Sequence, residues 1–281
     1  NIFYNINTGF TGYNQFLKKV KNEYPELSND EINDYYKNQE INQIHNSKTK
    51  NKTNFLPIFS REKDSYQIDL TFLPNYKNQN RGYEIILCCI DINTRKVYAY
   101  KLKNKTSTSL LEVLEEFIKN AQPKTITSDN GSEFLNKKVE KLFNDNNIIH
   151  YATTPGDKNT LGKIERFNRT LKQRLNKYMT SNNNVIWYNV LDEVINNYNN
   201  SFHRSIKTTP NELANNEKLE DNYIRSEEEK TRNILSDRNK QNINIGDYCR
   251  IRKKKNNFSK EGIYYSTEVY EIVDIDRNNN Y

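Results

Sequence analysis

Three carboxylates stand out by their positions. Asp69 interrupts an alternating apolar segment, YQIDLTF. Asp129 directly follows a short strand-like stretch in TITSDNGSEF, and Glu165 is the one acid in LGKIERFNRTLKQRLNKY, with 35 residues (130–164) between it and Asp129. A hard divalent cation such as Mg²⁺ prefers carboxylate oxygens and keeps water positions open for phosphate oxygens. Two such ions roughly 4 Å apart activate an attacking oxygen and neutralise a leaving one in an in-line displacement at phosphorus. Three clustered carboxylates without a cation would repel one another and raise their own pKa values, so the set implies its metal. Asp69, Asp129 and Glu165 are therefore the expected metal ligands and catalytic groups.

The surrounding elements must bring these acids together. Residues 161–178 form an amphipathic helix at about 100° per residue, with Ile164, Phe167, Leu171 and Leu175 on one side. Glu165, Asn168, Arg169 and Lys172 form the neighbouring stripe, and six basic residues (Lys163, Arg166, Arg169, Lys172, Arg174, Lys177) surround the single acid. Upstream, the rhythm from residue 65 is strand, strand, strand, helix, strand, helix, strand. The strands fall at 66–72, 83–91, 96–102, 125–128 and 148–151, and the helices at 107–120 and 133–143. A further helix at 185–199 carries Trp187. Three strands followed by alternating helices and strands predict an α/β core, a mixed sheet flanked by helices.

Outside that core, residues 1–45 read as a helical segment containing two short helices, with a capping box at Ser28 and Glu31. Such a pair suits a DNA-binding headpiece or a packing module equally. Residues 46–64 form a polar, basic linker, the core runs over 65–215, and residues 216–242 form a connector. Short strands return over 243–281, as expected for a small β-barrel. There is no internal repeat. The start without Met and the end just after a strand suggest a piece of a longer protein.

The formal net charge is +7 and the pI about 9.0, which favours a polyanionic partner such as nucleic acid over a merely solvated basic surface only when a site supports it. Three cysteines, two of them adjacent in an apolar run (Cys88, Cys89), suit reduced, buried thiols and an intracellular protein. No apolar stretch approaches the roughly 20 residues of a membrane span, and the N-terminus is not a signal peptide.

The core resembles the retroviral-type integrase and transposase superfamily, whose D,D-35-E triad sits on a ribonuclease H-like five-stranded fold. The resemblance rests on Asp69 in QIDL, Asp129 in SDNGSEF, Glu165 in KIERFNRTLK and the tail SFHRSIKTTPNEL, with His203, Arg204 and Pro210, and covers roughly residues 65–215. The flanking segments FYNINTGFTGYNQFLKKV and GDYCRIRKKKNNFSKEG are most similar to integrases of Maverick/Polinton-type transposons, in which a small chromodomain-like or SH3-like barrel follows the core. The resemblance implies a DNA integrase, a polynucleotidyl transferase using Mg²⁺ or Mn²⁺, with two ions expected. It implies 3′-end processing and strand transfer of mobile-element DNA into target DNA, without a covalent intermediate. It further implies contacts from Asn168 and Lys172 to element-end DNA, multimers that join two ends, and a nuclear location in a eukaryotic host. Arg169 and the run Lys253, Lys254 and Lys255 are expected to hold phosphates as well. Retroviral relatives carry a His-His-Cys-Cys zinc module; before residue 65 this chain has His45 and no Cys, so no zinc is expected.

Other readings compete. A bacterial insertion-sequence transposase shares the core but not the barrel, and a DNA-binding remnant would not need an intact triad. A tyrosine recombinase lacks its His-x-x-Arg arrangement here, since His203 and Arg204 are adjacent. Asp64 falls in the linker's charged end, Asp91 ends a strand before a turn, and Glu133 in a first helical turn has a sufficient electrostatic explanation. His150 is expected to be structural and His203 a DNA or packing contact. The 153–162 loop, with Gly156 and Gly162, is expected to move as DNA enters.

Overall fold

The computed structural model describes residues 2–39, 56–153, 160–239, 244–249 and 270–274. They fall into two units: Ile58–Ile224 with the N-terminal segment, and the chain from Arg225 onward with residues 56–57.

The first unit is built on a five-stranded sheet of β1 (Ser65–Phe72), β2 (Ile85–Asp91), β3 (Val97–Leu102), β4 (Thr125–Ser128) and β5 (Ile149–Ala152), in the order β3-β2-β1-β4-β5. β2 runs antiparallel to β1 and β3, while β1, β4 and β5 are parallel. All of β2 is buried because it is covered on both faces. Its side chains alternate: Ile86, Cys88 and Ile90 face a core made with α5 (Gly162–Ser181) and α6 (Leu191–Asn199), and Ile85, Leu87 and Cys89 face one made with α3 (Ser107–Ala121) and α4 (Lys137–Asp145). This is the expected mixed sheet between helical layers.

Two helices start later than the periodicity predicts. α4 begins at Lys137 rather than at residue 133, because Asn136 caps it by accepting from the Lys138 and Val139 N–H groups, both at 3.1 Å. Residues 131–135 form a turn, so Glu133 is not a first-turn helical acid. Similarly, α6 begins at Leu191 rather than at 185, because the fully buried Asn80 clamps the preceding segment. Its amide donates to Tyr76 O (2.6 Å) and Val185 O (2.8 Å), and its carbonyl accepts from Trp187 N (2.7 Å) and Tyr188 N (3.1 Å). Other asparagines in this Asn-rich chain are also interior clamps: Asn199 bonds both backbone groups of Val97, and Asn93 bonds Ser60.

The N-terminal helices, α1 (Tyr13–Glu23) and α2 (Asn29–Asn38), pack around Phe3, Phe16, Val20 and Ile32, with the expected Ser28–Glu31 capping box. The segment is fastened to the core by Asn197, which donates to Ile6 O (2.7 Å) and Gly9 O (3.1 Å) and accepts from Lys19 (3.3 Å). Phe10 also meets the ring of Tyr178 at 6.3 Å. These contacts pack the segment against the core.

The connector is helical: α7 (Pro210–Ala214) is followed by α8 (Glu217–Asn239), in which the boundary between units falls. In the second unit, β6 (Tyr248–Cys249) pairs antiparallel with β7 (Tyr270–Glu271) after a turn at Gly246, whose φ of 93° suits glycine. The remainder of the expected 243–281 barrel lies outside the described residues, as do most of the 46–64 linker, His45 and residues 154–159 of the loop. Among the described residues, no helix is long and apolar enough to cross a membrane.

Candidate active site

Strand alternation decides which face of β1 carries chemistry. Tyr66, Ile68 and Leu70 enter the core beneath α3 and α4, so Gln67, Asp69 and Thr71 turn toward α5. Asp69 is opposite Cys88 of β2, on that same face. In the parallel pairing of β1 with β4, Gln67 is opposite Thr127, which brings Asp129, two residues further on, level with Asp69 at the end of the ladder. Gln67 also reaches the start of α5: its carbonyl accepts from Ile164 N at 3.0 Å, and its amide donates to Thr160 O at 2.7 Å. The first turn of α5, with the exposed Glu165, is thereby held over β1.

The Asp69 carboxylate accepts from Leu70 N at 2.8 Å through one oxygen and from the Asn168 amide at 2.7 Å through the other. Its pKa is pushed up to about 6, first by burial and further by the charges of Asp129 and Glu165; the two hydrogen bonds oppose the rise. Asp69 therefore senses both other members of the proposed triad. Asp129 is exposed, and its carboxylate accepts from Gly131 N at 3.1 Å. Its backbone is steadied by Ser128, whose hydroxyl donates to Asp129 O at 2.8 Å and accepts from His150 Nε2 at 2.8 Å. With the hydroxyl proton so placed, His150 is the donor, and burial lowers its pKa and favours the neutral ring.

Among the described residues, no three acidic, histidine or cysteine side chains are close enough to cage a metal ion. The donor chemistry nevertheless suits a hard cation. Asp69 feels the charges of Asp129 and Glu165, and beside it the buried Asn168 Oδ1 has no hydrogen-bond partner, an acceptor open to a water or hydroxyl proton. Glu133 lies near Asp129: a Cβ added at Gly131, between them in sequence, would meet the Glu133 carboxylate at 2.8 Å and Asp129 Oδ1 at 2.9 Å. A Cβ there would make these two flexible carboxylate ends shift.

The basic helix is less uniform than its sequence suggests. Arg166, Arg169 and Lys172 are exposed as expected, whereas Asn168 is buried and spent on Asp69, away from the exposed stripe. Arg174 lies 5.4 Å from the Tyr198 ring, and its burial lowers its pKa to about 10 against the opposing effect of Tyr198; Lys177 is lowered to about 8 by burial and by Arg174. Lys163 donates to Ile92 O. The signal was available, since residues 168 and 174 fall four and ten positions after Ile164, on the seam that packs against the core. His203 is likewise a packing residue, its ring 4.5 Å from that of Tyr198 and its pKa lowered to about 4, chiefly by burial. Asp91 caps its turn by accepting from Asn93 N and Thr94 N at 2.8 and 2.7 Å, and Asp64 pairs with Lys124 at 3.0 Å. Lys253, Lys254 and Lys255 lie outside the described residues.

The raised pKa of Asp69 is also a statement about stability. Because the folded protein binds this proton more tightly than the unfolded chain, whose carboxyl has the ordinary value of 3.8, this group's contribution to metal-free stability falls as pH rises from about 4 to about 6. Asp69→Asn removes that penalty. In EDTA it is expected to be more stable than wild type by roughly 1–2 kcal/mol at pH 7.5, after discounting for partial exposure, and no more stable at pH 3.5. Urea melts at the two pH values check this; an equal gain at both would disprove the electrostatic origin.

Comparison with known proteins agrees with this geometry. Residues 60–158 match the integrase core domain family. A transposon-derived protein of Caenorhabditis elegans is 34% identical over 203 residues, 70% of this chain and 65% of that protein. The Pro-Pol polyprotein of feline foamy virus is 31% identical over 134 residues, 48% of this chain and 12% of the polyprotein. The chain thus spans less than two thirds of either relative. A chain of the simian T-cell lymphotropic virus intasome, solved with a PP2A regulatory subunit, superposes with a TM-score of 0.51 over 68% of this chain and 66% of its own length. At 22% identity, that match speaks for the ribonuclease H-like fold alone.

Proposed function

The chain carries an integrase core domain of the retroviral-type integrase and transposase superfamily, and from that premise we propose that it is a DNA integrase, processing the 3′ ends of a mobile element and transferring them to target DNA. What supports this reading is the β1–β4 register, which sets Asp129 two residues beyond the partner of Gln67, together with Asp69, whose pKa is raised to about 6 first by burial and further by the charges of Asp129 and Glu165. Asp69, Asp129 and Glu165 would hold the divalent metal, Mg²⁺ or Mn²⁺, which when bound activates the attacking oxygen and neutralises the leaving one.

The chain's own groups prepare that step. Asn168 fixes the orientation of Asp69, while Ser128 and His150 fix the backbone of Asp129. Arg169 and Lys172, with Arg166, present exposed cations along α5 to the phosphates of the bound strand, a role we extend to Lys253, Lys254 and Lys255. Water supplies the oxygen that releases a 3′-hydroxyl, and that hydroxyl then displaces a 3′-oxygen in the target strand. The number of phosphodiester bonds is conserved in the transfer. We take the element to be a Maverick/Polinton-type transposon, the enzyme to act as a homo-oligomer holding two double-stranded ends, and its place of work to be the nucleus of a eukaryotic host.

The test is a joining reaction with Mg²⁺ or Mn²⁺, labelled duplexes carrying the terminal repeats that flank the gene, and a supercoiled target. Joined product is expected from the wild type and none from Asp129→Asn. DNA binding without joining by the wild type, or equal joining by the variant, would overturn the enzymatic reading and leave a DNA-binding remnant.

A further inference from the structure

Gln67 is an uncharged residue with no place in the chemistry above, yet it is 1% exposed and spends both ends of its amide on one short stretch of chain. Its Oε1 accepts from Ile164 N at 3.0 Å, and its Nε2 donates to Thr160 O at 2.7 Å. Ile164 N is one of the N–H groups at the start of α5 that have no partner within the helix. The N-cap residue, Leu161, has no side chain able to supply one, and none does. Gln67 thus caps α5 across 97 residues of sequence, from the strand that carries Asp69 two positions later. Ile164 adjoins Glu165, so the bond that ends on one is a lever on the other.

We propose that Gln67 is a positioning residue for the reaction assigned above, fixing the first turn of α5 so that Glu165 stands at a set distance from Asp69. The inference rests on the integrase reading and adds a residue to it. Asn168 bonds Asp69 one turn further along α5, so β1 grips the helix at two points. The Asn168 bond sets the orientation of one carboxylate, whereas the Gln67 bonds set the depth of the helix that brings the other. A glutamine suits the task because one rigid amide offers a donor and an acceptor without charge. A carboxylate at 67 would add to the repulsion that already raises Asp69.

Gln67→Met keeps the volume and removes both bonds. In the metal-free protein, amide exchange at residues 162–165 should accelerate at least tenfold, while that of β1 and β2 stays unchanged. The Mg²⁺ concentration giving half-maximal rise in Tm should increase about tenfold or more, the range seen when a group supporting a metal ligand is removed. In the joining reaction, kcat should fall by a similar factor with Kd for DNA unaltered. Gln67→Glu, measured in parallel, retains an acceptor for Ile164 N and should keep the helix start protected even if the Met variant folds poorly. If wild type joins DNA and both variants match it in Mg²⁺ response and in exchange at 162–165, the positioning role is wrong. If wild type itself neither binds metal nor joins DNA, the integrase reading fails first, and the exchange result still reports on the cap alone.

Discussion

If the proposed integrase reading holds, replacing Glu165 by Gln is expected to lower the rate of DNA joining by about a thousandfold or more while leaving the fold and DNA affinity intact. The substitution keeps side-chain size and hydrogen-bonding capacity and removes one charge. Glu165 is exposed in the first turn of α5, so loss of its favourable interaction with the helix dipole costs at most about 1 kcal/mol of stability. As a ligand of the proposed metal, Glu165 would matter far more to the chemistry, since such a ligand contributes several kcal/mol of charge stabilisation in the transition state and about 4 kcal/mol corresponds to a thousandfold. The exposed cations Arg166, Arg169 and Lys172 remain, and one fewer negative charge beside them leaves DNA binding equal or slightly tighter. Single-turnover joining, with fluorescence anisotropy for DNA binding, separates the two effects. A variant that joins DNA within tenfold of the wild-type rate would remove Glu165 from the reaction.

The largest effect on stability is expected far from the acids. Asn80→Ala strips four hydrogen bonds at once, leaving the carbonyls of Tyr76 and Val185 and the N–H groups of Trp187 and Tyr188 without their partner. Each buried unpaired group costs about 1–3 kcal/mol, and because partial relaxation makes the costs less than additive, a total of roughly 3–5 kcal/mol is expected. Trp187, fully buried in the core shared with Phe167 and Leu171, is seated by this clamp. Urea denaturation should show a lower midpoint with an unchanged slope, since the folded and unfolded states expose the same surface as before. A loss below 1 kcal/mol would mean that water replaces the amide, and the clamp would not be what sets residues 185–188.

How much of this could be read from the residues follows from the range of the forces involved. The alternation of β1, the continuous apolar run of β2, the capping box at Ser28 and the amphipathic seam of α5 are local patterns, and each reappears in the fold where the pattern places it. The helix starts that differed, at 137 and 191, were both moved by an asparagine, one adjacent in sequence and one more than a hundred residues away. The first-turn explanation of Glu133 falls with the same boundary, since Asn136 starts the helix after it.

The sequence by itself determined which residue types could do phosphoryl chemistry, and the alternation of β1 that puts Gln67, Asp69 and Thr71 on one face. Only the tertiary structure decided how that face is used. Strand register brings Asp129 level with Asp69, the amide of Gln67 seats the first turn of α5, and Asn168 is drawn from the stripe beside the exposed cations into a bond with Asp69. Likewise, Arg174 reads as one more cation of a basic helix until packing places it under Tyr198 and away from solvent. The physical reason is common to these cases. A side chain's type and its angular position on a helix or strand are fixed by short-range geometry, whereas its partner is fixed by whichever distant backbone or charge the packed core delivers within about 3 Å of it.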